Sequence, residues 1–156
     1  MEQNENNLQP IFNIVKIYVK DLSLEVPNGP GVFLEQGTPE VGIELGAQAA
    51  PISEGFYEVS LKVIVTSKFA EEDKAVFLVE AVQAGVFQLQ NIPQEDIEPA
   101  LMIGCANILF PYARETISDA TTRAGFQPVL LPPANFEGMY AARQQELAQG
   151  TDVPVQ

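Results

Sequence analysis

FYEVSLKVIVT (residues 56–66) and KAVFLVEAVQAGVFQLQ (residues 74–90) are the two stretches that decide the fold of this chain. In the first, apolar side chains occupy every second position, at Tyr57, Val59, Leu61, Val63 and Val65. Such alternation is typical of an antiparallel strand with one buried face. The polar segment AEEDK, residues 70–74, joins the stretches and is too short to hold a crossover helix. The sequence therefore predicts two antiparallel neighbours in one sheet.

The second of these strands is apolar on both of its faces. One face carries Val76, Leu78, Glu80 and Val82, and the other carries Phe77, Val79, Ala81 and Gln83. A face turned to water should be polar, so one face should pack on helices while the other offers apolar surface beside an acid. The alternative is that both faces are covered within the domain.

The residues before this hairpin also read as strands. In IFNIVKIYVKDLSLEV, residues 11–26, the apolar positions switch parity between Val19 and Leu22, which predicts a bulge near Lys20 and Asp21 or burial of both faces. The turn-rich loop PNGPG, residues 27–31, follows. A short strand is then predicted through residues 41–45. Together these segments predict an antiparallel sheet of about four strands.

After Pro93 the apolar period becomes helical, with a stripe at Ile97, Ala100, Leu101, Gly104 and Cys105 that continues through Ile108 and Leu109. Because a proline inside a helix has no N–H to donate, Pro111 predicts a kinked long helix whose two pieces meet near residues 107–111. Gly125 should end the second piece. QPVLLPP, residues 127–133, predicts an extended crossover, and Asn135 an N-cap for a short final helix.

The predicted fold class is therefore α+β, with a four-stranded antiparallel sheet packed by a kinked long helix and a short C-terminal helix. We expect one domain over residues 10–147, a flexible N-terminus over residues 1–9 and a flexible tail over residues 148–156. No apolar run reaches the roughly 20 residues that cross a bilayer, and the first ten residues are not those of a signal peptide. With one cysteine, a cytoplasmic location is expected.

The net charge of −13, from 21 acidic and 8 basic residues, limits the partners. Such a field repels nucleic-acid phosphates and anionic lipid headgroups, so neither nucleic-acid binding nor membrane insertion is expected. It favours a basic protein partner. The charge is equally compatible with a role in solubility alone.

The residues needed for common catalytic and metal sites are missing from the sequence. There is no histidine, which excludes Ser-His-Asp, Cys-His and histidine-metal sites. The phosphate loop, the dinucleotide turn and the nucleophile elbow are also absent. The carboxylates at residues 71–73 fit a solvated turn, and Cys105 fits a small buried residue. We expect neither an enzyme nor a metal or other cofactor.

Three stretches, YVKDLSLEVPN (18–28), NILFPYARE (107–115) and PANF (133–136), resemble the SecB family of protein-export chaperones. The likeness covers about residues 10–147. It implies a homotetramer, built as a dimer of dimers, that holds unfolded secretory precursor proteins without nucleotide and then docks on the SecA ATPase.

The resemblance also implies two functional surfaces. The residues matched to SecA docking are Asp21, Glu25, Leu78 and Glu80, and strand parity independently puts Leu78 and Glu80 on one face. The residues matched to the client-binding groove are Ile43, Leu45, Phe136, Met139 and Tyr140, although their spacing alone favours core residues. The positions that we expect to serve oligomerisation are Leu101, Cys105, Ile108 and Leu109.

Two other functions remain open from the sequence. An acidic adaptor would bind a basic partner through the same sheet but would not protect unfolded chains from aggregation. A small enzyme that uses carboxylates alone would need a deep polar cleft.

Overall fold

The structure is a computed structural model that describes residues 8–152, and the side chains of residues 8–149. The strands are β1 (Ile11–Glu25), β2 (Glu40–Ser53), β3 (Phe56–Phe69) and β4 (Lys74–Gln90). The helices are α1 (Gln94–Pro99), a π-helical segment (Ala100–Cys105), α2 (Ala106–Arg123) and α3 (Phe136–Asp152), and a 3₁₀ turn covers Gly31–Leu34. The predicted α+β class is confirmed.

Within the described residues the sheet has four strands in the order β1-β4-β3-β2, and every pair of neighbours is antiparallel. The β3–β4 hairpin predicted from residues 56–90 therefore forms the centre of the sheet. Val63 lies opposite Ala81, and Val65 lies opposite Val79. These side chains are buried under α2, so the alternating pattern marks the face of the sheet that the helices cover.

The parity switch in β1 is resolved by a bulge, as predicted. The pairing of β1 with β4 shifts between Val19 and Asp21, which leaves Lys20 without a paired residue, and a second shift skips Val15. An extra residue turns the following side chains to the opposite face. Val19 and Leu22, of opposite parity, therefore both point to the helix side of the sheet.

Strand β2 is longer than predicted, with 14 residues from Glu40 to Ser53. The prediction stopped near residue 45 because the later part is rich in alanine and contains Pro51, which are poor strand formers. Pairing with β3 along the whole length overrides that preference. Pro51 is tolerated because β2 lies at the edge of the described sheet, where a missing N–H breaks no ladder bond.

The long helix is present as predicted, but its pieces do not meet near residues 107–111. Helix α2 runs without interruption through Pro111, and the irregular part is the π-helical segment one turn earlier. Pro111 and Asn107 both lie on the exposed side of the helix. Because water can reach the Asn107 carbonyl that loses its partner, the helix continues past the proline.

Both predicted helix ends are confirmed. Gly125 has φ of 94°, its N–H donates to the Thr122 carbonyl at 3.0 Å, and the Phe126 N–H donates to the Thr121 carbonyl at 3.1 Å. This is a Schellman motif, which requires the left-handed conformation that glycine adopts without strain. Asn135 Oδ1 accepts a bond from the Gly138 N–H at 3.0 Å, which is the predicted N-cap.

Residues 126–135 form an extended crossover that is neither helix nor strand, as expected. Helix α3, at 17 residues, is longer than the short helix predicted, and it includes residues 148–152 of the expected tail. The remaining parts of the predicted flexible ends, residues 1–7 and 153–156, lie outside the described residues.

Candidate functional site

The face of the sheet opposite the helices carries the even-numbered residues of β4 from Leu78 onward, and we call it the open face. Val76, which the alternation grouped with them, is skipped at a register shift and is buried. Leu78, Glu80, Val82 and Val86 lie on it and are half-buried by their neighbours in the sheet. The odd-numbered residues Phe77, Val79, Ala81 and Gln83 are buried against the helix layer. Of the two alternatives for β4, the structure has the one in which one face stays open.

The four residues matched to SecA docking lie together on the open face. Strand pairing sets Asp21 opposite Val82, Ser23 opposite Glu80, and Glu25 opposite Leu78. They thus occupy three successive rows of two adjacent strands, a patch about 14 Å long at the usual strand geometry. The sheet brings together residues that are more than 50 positions apart in sequence. We call these four residues the acidic patch.

The charge around the acidic patch is dominated by carboxylates. Glu44 lies in the same row as Glu80, and Glu40 lies two rows further along the open face. Two lysines lie among these acids, and each makes an ion pair. Lys62 Nζ is 3.0 Å from Glu80 Oε1, and Lys68 Nζ is 3.6 Å from an Asp73 oxygen in the β3–β4 turn. Because the acids outnumber the lysines, this end of the open face attracts a basic surface.

The other end of the open face carries a hydrogen-bonded group that the sequence reasoning missed. The Tyr18 hydroxyl donates to Glu58 Oε2, and Lys20 Nζ donates to Glu58 Oε1 at 2.7 Å. Tyr18 reaches Glu58 across Ala84, which is buried beneath the pair. A tyrosine and a glutamate 40 positions apart leave no local signal, because their contact depends on the strand order.

The same contacts set the protonation of both groups. The bonds from Lys20 and Tyr18 hold the pKa of Glu58 below its ordinary value. The bond to Glu58, together with burial, raises the pKa of Tyr18 to about 12. At neutral pH Glu58 is therefore ionised and Tyr18 is neutral. The Glu58 carboxylate is paired with Lys20, and Lys16 lies nearby on β1. The open face is acidic at one end and close to neutral at the other.

The residues matched to the client groove divide into accessible and buried side chains. Ile43 and Met139 are exposed at 38% and 37%, while Leu45 and Tyr140 are partly exposed. Phe136 is only 2% exposed and contacts the edge of the Phe110 ring at 5.8 Å between centroids. The groove assignment of Phe136 is therefore corrected to a core residue. As the first residue of α3 it anchors that helix on α2.

Two surface depressions lie along β2. One, of 430 Å³, is at the strand's edge and is lined in part by Val41, Ile43 and Ile64. The other, of 340 Å³, lies between β2, α1 and α3 and was not foreseen from the sequence. Its lining includes Pro51, Tyr57, Ile97, Leu101 and Arg143. Both depressions combine apolar and charged side chains, and neither is enclosed by the part of the chain that is described.

Three of the four expected oligomerisation residues are corrected to core residues. Leu101, Cys105 and Leu109 are buried under the sheet, because positions separated by four residues face the same way on a helix. Ile108 alone is partly exposed. Burial raises the pKa of the Cys105 thiol to about 12, so the thiol stays protonated and unreactive. The interpretation of Cys105 as a small buried residue is confirmed.

A row of uncovered apolar side chains lies instead on β1. Its members on the helix side of the sheet, each at least 37% exposed, are Phe12, Ile14, Val19, Leu22 and Leu24. We call this set the β1 apolar row. Helix α2 packs mainly on β3 and β4, so it does not extend over this edge of the sheet.

In the part of the chain that the structure describes, no helix has the length and apolar character to span a membrane. Among the same residues, no three acidic or cysteine side chains are grouped as metal ligands would be.

Comparison with known proteins relates the chain to one family along most of its length. Residues 5–147 match the family described as preprotein translocase subunit SecB. The protein-export protein SecB of Dechloromonas aromatica is 56% identical and that of Aromatoleum aromaticum is 54% identical, with the whole of both chains covered in each case. The SecB of Methylobacillus flagellatus is 58% identical over 90% of this chain and 88% of its own length.

A solved structure has a similar fold. The Mycobacterium tuberculosis SecB-like chaperone Rv1957, solved in complex with a ChAD peptide from the HigA1 antitoxin, has a TM-score of 0.63 and 17% identity, covering 80% of this chain and 91% of its own. At this identity the likeness concerns the fold alone. The family match and the relatives above half identity carry the assignment. This chain is a member of the SecB family of protein-export chaperones.

Proposed function

We propose that this chain works in the cytoplasm as a nucleotide-independent holding chaperone, which binds unfolded secretory precursor proteins and delivers them to the SecA ATPase. The observation that carries the proposal is the acidic patch, in which Asp21, Glu25, Leu78 and Glu80 form one surface on the side of the sheet away from the helices. Membership of a family of export chaperones supports it.

Client binding is proposed for the accessible apolar side chains beside β2 and α3. Apolar surface is available there at Ile43, Leu45, Met139 and Tyr140 and in the two depressions along β2. A folded client cannot bind this surface, because its own apolar residues are buried. Burial of such surface gains roughly 25 cal/mol per Å². Ordering a flexible chain consumes much of that gain, so one segment should bind weakly and reversibly. Nothing in this mechanism requires nucleotide.

Self-association is proposed as the source of tight overall binding. The β1 apolar row lies on an edge strand and exposes both apolar side chains and unpaired backbone groups, a combination that favours a second copy of the chain. A homotetramer built as a dimer of dimers would present several client surfaces at once. Linked surfaces raise the effective concentration of each binding segment, which increases avidity without new contacts.

Delivery is proposed to use the acidic patch against a basic surface of SecA. Three carboxylates beside Leu78, which lies at one end of the patch, combine long-range attraction with a small apolar contact, an arrangement that gives fast and specific association. Ile43 and Leu45 pair with Val65 and Val63 and lie on the helix side of the sheet, opposite the acidic patch, so docking and client holding would use different side chains.

The holding activity is tested by aggregation of a reduced, denatured client protein, measured by light scattering with and without ATP. We expect suppression that ATP does not change, and weaker suppression by the variants Ile43→Asp and Met139→Asp. Leu34→Asp is the matched control, because Leu34 is 86% exposed in the loop before β2 and belongs to neither proposed surface.

The competing interpretation is an acidic adaptor without holding activity. Such an adaptor would bind some other basic partner through the acidic sheet, and it predicts that client aggregation is unchanged at every ratio of chain to client. That result would replace the chaperone proposal. A need for ATP would contradict the nucleotide-independent mechanism.

A further inference from the structure

Lys62 lies beside the acidic patch although its positive charge has the wrong sign for a site that binds a basic surface. It is on β3, on the open face, opposite Val82 and one row from Glu80. Its Nζ lies 3.0 Å from Glu80 Oε1, and the side chains are 55% and 40% exposed. Glu80 is therefore already paired before any partner arrives.

This pair has two opposite effects on docking. It restrains the Glu80 side chain in one orientation, which would reduce the entropy lost on binding. It also provides an internal cation that competes with the partner's cation for the same carboxylate. In addition, docking would bring the Lys62 ammonium under a basic surface, where like charges repel and water is removed from both groups.

The competing effect is the larger of the two. An ion pair this exposed holds its side chains only weakly, because water solvates both partners and the attraction is screened. Competition between Lys62 and the partner's cation for the Glu80 carboxylate acts instead in a partly dehydrated interface, where charges interact more strongly. Removal of the Lys62 charge should therefore help docking rather than weaken it.

We propose that Lys62 is a positioning residue that acts through Glu80 as an internal counter-ion and keeps docking on the basic SecA surface weaker than the acidic patch alone would make it. This inference rests on the proposed docking function. Its consequence is a faster release of the chaperone after the client has been transferred, because Lys62 re-forms its pair with Glu80 as the partner leaves.

The test is a titration of SecA with the full-length assembled protein, at low and at high ionic strength. Lys62→Gln should tighten binding by about two- to fivefold at low ionic strength, the range that exposed charge pairs provide, and by less at high ionic strength. Lys62→Arg keeps the charge and should restore the wild-type affinity.

Lys68→Gln is the matched control for the loss of one positive charge. Lys68 is on the same strand and the same face, but its ion pair is with Asp73 in the β3–β4 turn. Its effect should be smaller than that of Lys62→Gln. Equal effects would mean that only the net charge matters, and the role assigned to Lys62 would be rejected.

A double-mutant cycle separates the role of Glu80 from a general charge effect. In a Glu80→Gln background, the tightening caused by Lys62→Gln should fall to the level of the Lys68 control. The inference would be overturned if Lys62→Gln tightened binding as much in the Glu80→Gln background as in the wild type. It would also be overturned if Lys62→Gln alone left SecA binding unchanged or weaker. The docking proposal itself fails separately, if Asp21→Lys and Glu80→Lys both leave SecA affinity unchanged.

Discussion

Side chains on the two faces of the sheet have different roles, because the helices cover only one face. On the covered face, Gln83 is held by the Thr116 hydroxyl, which donates to its Oε1 at 2.8 Å, so even this polar residue is satisfied in the core. On the open face, Asp21 and Glu80 remain accessible to a partner. Substitutions at Asp21 and Glu80 should therefore change binding with little effect on stability.

Charge reversal in the acidic patch should weaken SecA docking and leave client holding intact. Asp21→Lys and Glu80→Lys each replace an attraction by a repulsion, and we expect a loss of about tenfold or more in affinity at low ionic strength. Calorimetric titration with SecA measures this, and the aggregation assay serves as the internal control. Glu71→Lys, in the β3–β4 turn, is the matched reversal outside the patch. Unchanged affinity in both patch variants would contradict the docking assignment.

Glu58 should contribute stability at neutral pH that is lost in acid. Its bonds to Lys20 and Tyr18 keep its pKa in the folded protein below the ordinary value of 4.5. The contribution is therefore fully present above pH 4.5 and disappears as the pH falls through the lower pKa of the folded state.

The measurement is the free energy of unfolding of the wild type and of Glu58→Gln, from neutral pH into the acid range. The difference should be on the order of 1 kcal/mol at neutral pH and should vanish in acid. Tyr18→Phe removes one of the two bonds and should raise the pKa of Glu58 toward its ordinary value. A difference that does not depend on pH would refute the explanation.

At the scale of single elements, the features at helix ends and strand edges explain the observed lengths better than the residues inside the helices do. The long helix passes Pro111 because its unpaired carbonyl is at the surface, while its end is set by Gly125 in the left-handed conformation. Similarly, β2 extends past the point where its own residues favour a strand, because β3 offers a continuous partner. Long-range pairing overrides local preference where the two conflict.

Gly125→Ala should destabilise the protein by roughly 1–2 kcal/mol, because a side chain at φ of 94° is strained. A Cβ there would also lie 3.2 Å from the Phe33 ring. Urea denaturation measures the change. Gly46→Ala is the control, since a Cβ at that position meets nothing within 4 Å and should leave stability equal or slightly higher. Equal losses in the two variants would contradict the role given to the Schellman motif.

At the scale of the whole molecule, the described part of the chain leaves apolar surface uncovered. The sheet is wider than the helix layer that covers it, so both edge strands leave apolar side chains on the helix side in contact with water. We propose different tasks for the two edges, self-association for β1 and client binding for the region of β2.

Leu22→Asp should dissociate the proposed oligomer, because it would bury an unpaired charge in an apolar contact. We expect a weakening of the assembly by about 100-fold or more, seen as a lower mass by light scattering at micromolar concentration. Val41→Asp on β2 is the matched control, since Leu22 and Val41 are both 48% exposed. A wild-type chain that is a stable monomer, or an unchanged mass for Leu22→Asp, would contradict this assignment.

Local patterns were sufficient for several features that depend on a few neighbouring residues. The alternation at residues 57–65 predicted the central strand, the parity switch between Val19 and Leu22 predicted the bulge, and Gly125 and Asn135 predicted two helix ends. The resemblance in NILFPYARE predicted the family that the comparisons show. These signals are readable because backbone sterics and hydrogen bonding act within one turn or one strand.

Only the tertiary structure decided which apolar residues are open and which charges meet. Phe136 and Leu101 looked suitable for binding surfaces but lie in the core, while the pairs of Glu58 with Tyr18 and of Glu80 with Lys62 had no local signal. Each of these outcomes depends on strand order, on register and on how far α2 extends across the sheet. Those are set by packing between distant segments, and the spacing of residues along the chain does not contain them.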